Sequence, residues 1–303
     1  MLMLLAIAVP LAVLGVNLGG DDEDTVTEVG TDDADLLEGA EGDDFLDGAA
    51  GDDIMNGRAG ADTIFGREGE DILEGADGDD MLCSGDGDDI VTGNRGLDLI
   101  EGQEGDDFVS GDYGNDSVFG NEGDDIAIGG RGADVVSGGE GDDVIFGGIL
   151  EGLPLNLEEM EALRDGASLA DLNNGIDLRD DQRGNTLRGG DGNDDLIVGS
   201  GDDAAGGRGE DTFHLLAEQE NSNAGEATIR SLTENDAITI IVEDTDDDTE
   251  ITVEQDGDDA IVSYGDNVLA RVIGAGETLE AGDITLIAES TAAQLFDPNA
   301  AVA

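Results

Sequence analysis

The chain has 303 residues, with 77 acidic side chains against 11 basic ones and a formal charge of −66. That balance excludes nucleic acid and anionic membrane surfaces as partners, because phosphate binding needs Lys and Arg. Aromatic residues are only 3% and Trp is absent, while Gly reaches 50 residues, about twice its usual ~7% share. A single thick core is out of reach; a thin one is possible if small pieces repeat and each buries the next. One cysteine, Cys83, leaves no intrachain disulfide. One histidine, His214, excludes a zinc-protease HExxH motif, which needs two.

Residues 1–20 form a hydrophobic leader, whose stretch 2–19 (LMLLAIAVPLAVLGVNLG) is almost wholly apolar. At ~1.5 Å per residue it could span most of a bilayer. No Lys or Arg precedes it and no A-x-A site follows, so three readings stay open: membrane anchor, atypical signal, or a simple extension. Residues 21–29 read as an acidic linker.

From Gly30 the chain divides into 13 blocks of nine, ending at Phe146 without insertion or deletion. Positions 1 and 4 are Gly except at Ser84 and Asp33, position 6 is always Asp, and position 8 is always apolar. Glycine at 1 and 4 permits positive φ, so the first six residues can turn tightly. Inward carbonyls and the position-6 carboxylate then supply the hard oxygen ligands that Ca²⁺ prefers. Positions 7 to 9 make a short strand with position 8 facing inward, and two blocks make one coil.

This pattern resembles the RTX, or haemolysin-type, calcium-binding nonapeptide GGxGxDxUx. The resemblance covers residues 30–146 and a shorter stretch after 189. It implies an all-β fold: a right-handed parallel β-roll over 30–148, a second RTX stretch over 180–211, and ions between the turns of successive coils. Transferred to this chain, one ligand row is Asp35, Asp53, Asp71, Asp89, Asp107, Asp125 and Asp143. The other is Asp44, Asp62, Asp80, Asp98, Asp116 and Asp134. The intervals give about 11 Ca²⁺ sites, with Asp194, Asp203 and, less centrally, Asp211 as further ligands in the second stretch. Coils stack ~4.8 Å apart, where two carboxylates repel by about 0.9 kcal/mol even at the dielectric of water. An intercalated cation reverses that sign, so the roll is expected to fold cooperatively with calcium and to unfold largely without it.

Residues 149–179 break the repeat and read as a short helical insertion, with Asn156 and Glu159 resembling a capping box and Ser168 with Asp171 opening a second helix. Residues 212–290 are rich in Thr, Ile and Val between Asp, Gly and Asn turns, which reads as a small antiparallel β domain capping the roll. The tail 291–303 is compatible with a type I secretion signal, which the resemblance implies. Position 7 is apolar in 11 of the 13 blocks, giving outward stripes explained either by strand propensity or by packing on the insertion, the cap or a second copy. Cys83, at position 9, reads as a surface thiol, and His214 as packed at the roll-to-cap junction.

With no GxSxG elbow and no catalytic pair standing out, the expectation is a non-enzymatic calcium-binding protein, extracellular or at the cell surface, structural or adhesin-like. An RTX exoenzyme, a hydrolase with the roll as folding module, is the alternative.

Overall fold

The computed structural model describes residues 25–150, 153–164, 178–217, 225–242, 249–276 and 278–296. The readings of residues 2–19, of a helix opening at Ser168 and of residues 297–303 lie outside them. Among the described residues no helix is long and apolar enough to cross a membrane.

The chain winds as a parallel β-roll whose successive strands alternate between two sheets. Sheet I runs through the strands that begin at Phe45, Thr63, Met81, Leu99, Ser117 and Val135; sheet II runs through those at Leu36, Ile54, Ile72, Ile90, Phe108, Ile126 and Val144. Neighbours pair in parallel at an offset of 18 residues, as in Leu46↔Ile64 and Leu73↔Val91. Two nonapeptides therefore complete each coil. Every position-8 side chain from Leu37 to Ile145 points between the sheets, and none is more than 2% exposed. At roughly 1.5–3 kcal/mol per buried aliphatic side chain, this single file is the core that the sparse composition allows.

The position-4 glycines permit the coils to approach. A β-carbon on Gly78 would lie 1.5 Å from the carbonyl oxygen of Gly60, one coil earlier. Only hydrogen fits there.

The roll extends beyond the expected limits at both ends. Thr27–Val29, read as linker, is a strand paired in parallel with Phe45–Asp47, and the Val26 N–H donates to Asp44 Oδ1. The region after 212 is mostly not antiparallel: Thr212–Leu216, Ala237–Val242 and Ile284–Ala288 continue sheet II, and Ala227–Arg230 with Asn267–Val272 continues sheet I, all in parallel. Antiparallel pairing is confined to Ile251–Asp256, Asp259–Tyr264 and Asn267–Val272. Inward residues such as Phe213, Ile238 and Ile284 prolong the same core, so apolar alternation continues the roll after its Gly–Asp punctuation has stopped.

The insertion interrupts a turn without disturbing the register. Across it the offset rises from 18 to 51, as in Val135↔Thr186 and Val144↔Asp195. Its helix α1, Leu157–Arg164, is opened by Asn156: the Glu159 N–H donates to Asn156 Oδ1 at 3.2 Å, and the Asn156 N–H to Glu159 Oε2 at 2.9 Å. That is the expected capping box. Met160 and Leu163 bury themselves on the outer face of sheet II, against the cluster of Ile72, Ile90, Phe108 and Ile126. A second short helix, α2 (Glu289–Ala292), leads into a 3-10 turn whose Phe296 meets Phe146 at 6.4 Å between ring centroids. The outward stripe of sheet II is thus interior from Ile72 to Ile126, where packing on the insertion and the C-terminal segment accounts for it, while Leu36 at its start is 37% exposed. Sheet I keeps its stripe uncovered by these elements, with Val135 40% exposed.

Candidate metal centre

Each position-6 aspartate closes a turn and faces the turn of the neighbouring coil. From Asp53 onward, Oδ1 accepts the N–H of the row aspartate one coil earlier: Asp35 to Asp53, Asp53 to Asp71, Asp71 to Asp89 and Asp89 to Asp107 at 2.7–2.8 Å in one row. The other row runs likewise, with Asp44 to Asp62, Asp62 to Asp80 and Asp80 to Asp98 at 2.7–2.9 Å. Thus the structure places all thirteen first-array aspartates in two continuous rows, each side chain no more than 4% exposed.

The second oxygen is where the rows become chemically unusual. From Asp53 to Asp143 in both rows, and again at Asp194, Oδ2 is buried with no hydrogen-bond partner. At most of these turns, such as those of Asp53 and Asp107, it lies against the position-1 glycine of its own turn and a carbonyl of the next coil, the Asp89 turn having Ser84 in place of the glycine. A β-carbon on Gly102 would sit 2.2 Å from Asp107 Oδ2 and 2.7 Å from the Gly120 oxygen; one on Gly48 would sit 2.3 Å from Asp53 Oδ2 and 2.7 Å from the Gly66 oxygen. Each glycine therefore leaves open a cradle edged by a carboxylate and a carbonyl. Buried anionic oxygens without donors are costly, and oxygen-only surroundings suit a hard divalent cation. The residues present fit Ca²⁺. Among the described residues no three His, Cys, Asp or Glu side chains converge on one point.

Electrostatics records the same cost. Burial, with neighbouring carboxylates adding to it for most of the row, pushes Asp107 up to about 9 and Asp89, Asp116 and Asp143 to about 8. Asp53, Asp62, Asp125 and Asp194 rise to about 7, and Asp71, Asp80, Asp98 and Asp134 to about 6, against the lowering effect of the main-chain N–H each accepts.

Beyond the insertion the rows diverge from expectation. The first continues through Asp194 and Asp211, with the Asp194 N–H donating to Asp211 Oδ1 at 3.2 Å. The second passes through Asn185 to Asp202, not Asp203. Asp202 is 2% exposed and accepts the Asn185 N–H at 2.8 Å. Asp203 begins the next strand, where its carboxylate accepts from Arg230 Nε at 2.6 Å. A coil one residue short, with an offset of 17 in Thr186↔Asp203, moved the ligand position back by one.

A further ladder escaped sequence reasoning. Position-5 side chains run the opposite way: Asp106 Oδ1 accepts the Asp124 N–H at 2.8 Å, and Asp124 Oδ1 the Asp142 N–H at 2.8 Å. The DD pair in many blocks was the available signal. Cys83 is not a surface thiol: it is 7% exposed, and burial raises its pKa to about 11. Glu101 and Arg67 beside it shield it on the face of sheet I. His214 is buried at the junction, its Nε2 2.7 Å from Asp195 Oδ1 and its Nδ1 2.7 Å from Thr239 Oγ1, tying three adjacent strands of sheet II together.

Comparison with known proteins bears on the repeats directly. The family model of the RTX calcium-binding nonapeptide repeat matches residues 29–64, 51–82, 84–118, 92–127, 119–149 and 180–205. No curated protein matches the chain. Among solved structures, the extracellular lipase LipA from Serratia marcescens is similar at 14% identity and a TM-score of 0.23. The match covers 87% of this chain but 40% of that one, too loose to carry any argument about activity. With matched repeats, a parallel roll and two rows of orphaned carboxylate oxygens, the chain carries RTX calcium-binding nonapeptide repeats between residues 29 and 205.

Proposed function

We propose that the two aspartate rows hold Ca²⁺ in the cradles between coils, about 11 ions or more, and that this occupancy switches the roll from unfolded to folded. The observation that carries the reading is the unpartnered, buried Oδ2 repeated from Asp53 to Asp143. A cation binding only the folded form adds RT ln(1 + [L]/Kd) per site, about 2.7 kcal/mol at 100-fold excess. Multiplied along two rows, that term is large enough to decide whether a chain of charge −66 folds. Calcium is scarce inside cells and abundant outside, so such a switch suits a protein that crosses a membrane unfolded and acquires its shape outside. We read the chain accordingly as a secreted or cell-surface structural, adhesin-like protein and not as an enzyme. Export by type I secretion machinery, anchoring through residues 2–19 and self-association through the uncovered face of sheet I belong to the same proposal.

The test is a calcium titration of EDTA-stripped protein followed by circular dichroism. A cooperative gain of β signal is expected. A β signal indifferent to chelation would overturn the reading.

A further inference from the structure

Asn185 occupies a row position that is aspartate in every block of the first array. It is 3% exposed. Its Oδ1 accepts the Asp134 N–H at 2.8 Å, as each aspartate Oδ1 does, and this fixes the orientation of the amide, since a flipped group would turn NH₂ against N–H. Nδ2 therefore stands where the aspartates carry the orphaned Oδ2. It donates to the Gly147 carbonyl at 3.1 Å. That carbonyl is also the one edging the Asp134 cradle, for a β-carbon on Gly129 would lie 2.8 Å from Asp134 Oδ2 and 3.0 Å from Gly147 O.

The next member of the row repeats the theme by other means. Asp202 Oδ1 accepts the Asn185 N–H and its Oδ2 accepts the Gly199 N–H, both at 2.8 Å. Neither of its oxygens is left over. Across the same insertion the first row behaves differently: the Asp143 N–H donates to Asp194 Oδ1 at 3.1 Å, and Asp194 Oδ2 has no partner.

We propose that the second row of cation cradles ends at Asp134: the cradle that Asn185 would open towards Asp202 is closed by its amide and takes no ion, while the first row continues through Asp143 and Asp194, whose Oδ2 atoms, like that of Asp134, have no partner. A neutral amide donor stands where the first-array aspartates offer an anionic oxygen, and its bond to Gly147 O pins the turn across the insertion. It also repels a cation, because its hydrogens carry the same sign of charge. The coil seam beside the insertion is thereby held on that side without calcium, at the point where a 33-residue excursion would otherwise make the turn hardest to close. This rests on calcium filling the remaining cradles.

The experiment counts bound Ca²⁺ by equilibrium dialysis of the full chain in three forms: native, Asn185→Asp and Asp116→Asn. The expected result is one ion more than native for Asn185→Asp, which restores a carboxylate to the row. Asp116→Asn, which installs the amide mid-row, should bind at least one fewer. Equal counts for native and Asn185→Asp, or an Asn185→Asp protein that stays unfolded in millimolar calcium, would overturn the proposal. Absence of bound calcium in the native chain would instead remove the functional reading beneath it.

Discussion

The backbone N–H of Asp89 donates to Oδ1 of Asp107 at 2.8 Å, one coil further along, while Oδ2 of Asp107 is buried with no donor. Half of each carboxylate thus fastens the coils and the other half strains them. Removing that half-charge has opposite effects in the two states of the metal. An Asp107→Asn protein keeps the Oδ1 acceptor and loses a buried anion, so without metal it should be more stable than native by roughly 1–3 kcal/mol. In saturating calcium it should be less stable than native and need more ion to fold. Denaturation with and without EDTA measures both, and a change of the same sign in both conditions would contradict the cradle assignment.

Acid should replace calcium in part. The row aspartates from Asp53 to Asp143 have folded pKa values of about 6 to 9, above the ~3.9 of an unfolded aspartate. The folded state therefore binds more protons, and stability falls as pH rises across that window. In EDTA the roll should be most stable near pH 4 and lose that stability progressively as pH rises from about 4 to 9. Calcium uptake near neutrality should release protons. Melting curves in EDTA at pH 4.5 and 8.5, with proton release followed in weakly buffered solution, provide the check; a higher melting temperature at pH 8.5 would refute the ordering.

Much of this was legible in the sequence because two constraints share one register. An inward residue at position 8 and a turn carboxylate at position 6 each recur every nine residues, so Leu73 and Asp71 placed each other. Where a constraint lost its partner, the reading failed. The coil holding Asp202 is one residue short, so block counting pointed to Asp203. After Thr212 the glycines and aspartates stop marking turns, and strands such as Ala237–Val242 looked like those of any β domain, although they add to sheet II in parallel. The covering of Ile90 and Phe108 by Met160 was illegible for another reason. It depends on where a helix some 50–70 residues away lands, and no local spacing encodes that.

The closeness of the coils sets a hard limit on turn chemistry. A methyl at Gly78 would meet Gly60 O at 1.5 Å, and that oxygen belongs to backbone, which cannot swing aside. Gly78→Ala should cost roughly 2–4 kcal/mol in calcium. Gly282→Ala, with nothing within 4 Å of the added carbon, should stay within about 0.5 kcal/mol of native. Urea midpoints at fixed calcium would show the contrast, and similar losses at both positions would mean the coils are not so tightly stacked.

The two outward stripes offer a last discrimination, since they share one sequence signature and differ in what covers them. Ile126 on sheet II is 9% exposed and packed in the cluster that holds Met160 and Phe296. Leu99 on sheet I is only half-buried, with no helix over it. Ile126→Ser removes aliphatic contacts and buries a hydroxyl, so it should destabilise by roughly 2–4 kcal/mol and loosen α1 and α2 together. Leu99→Ser loses only ladder contacts along its own sheet and should cost about 1 kcal/mol or less. Denaturation in saturating calcium, with hydrogen exchange followed over residues 157–164, tests both. Equal costs at the two positions, or unchanged exchange in α1 when Ile126 is replaced, would show that the insertion does not rest on sheet II.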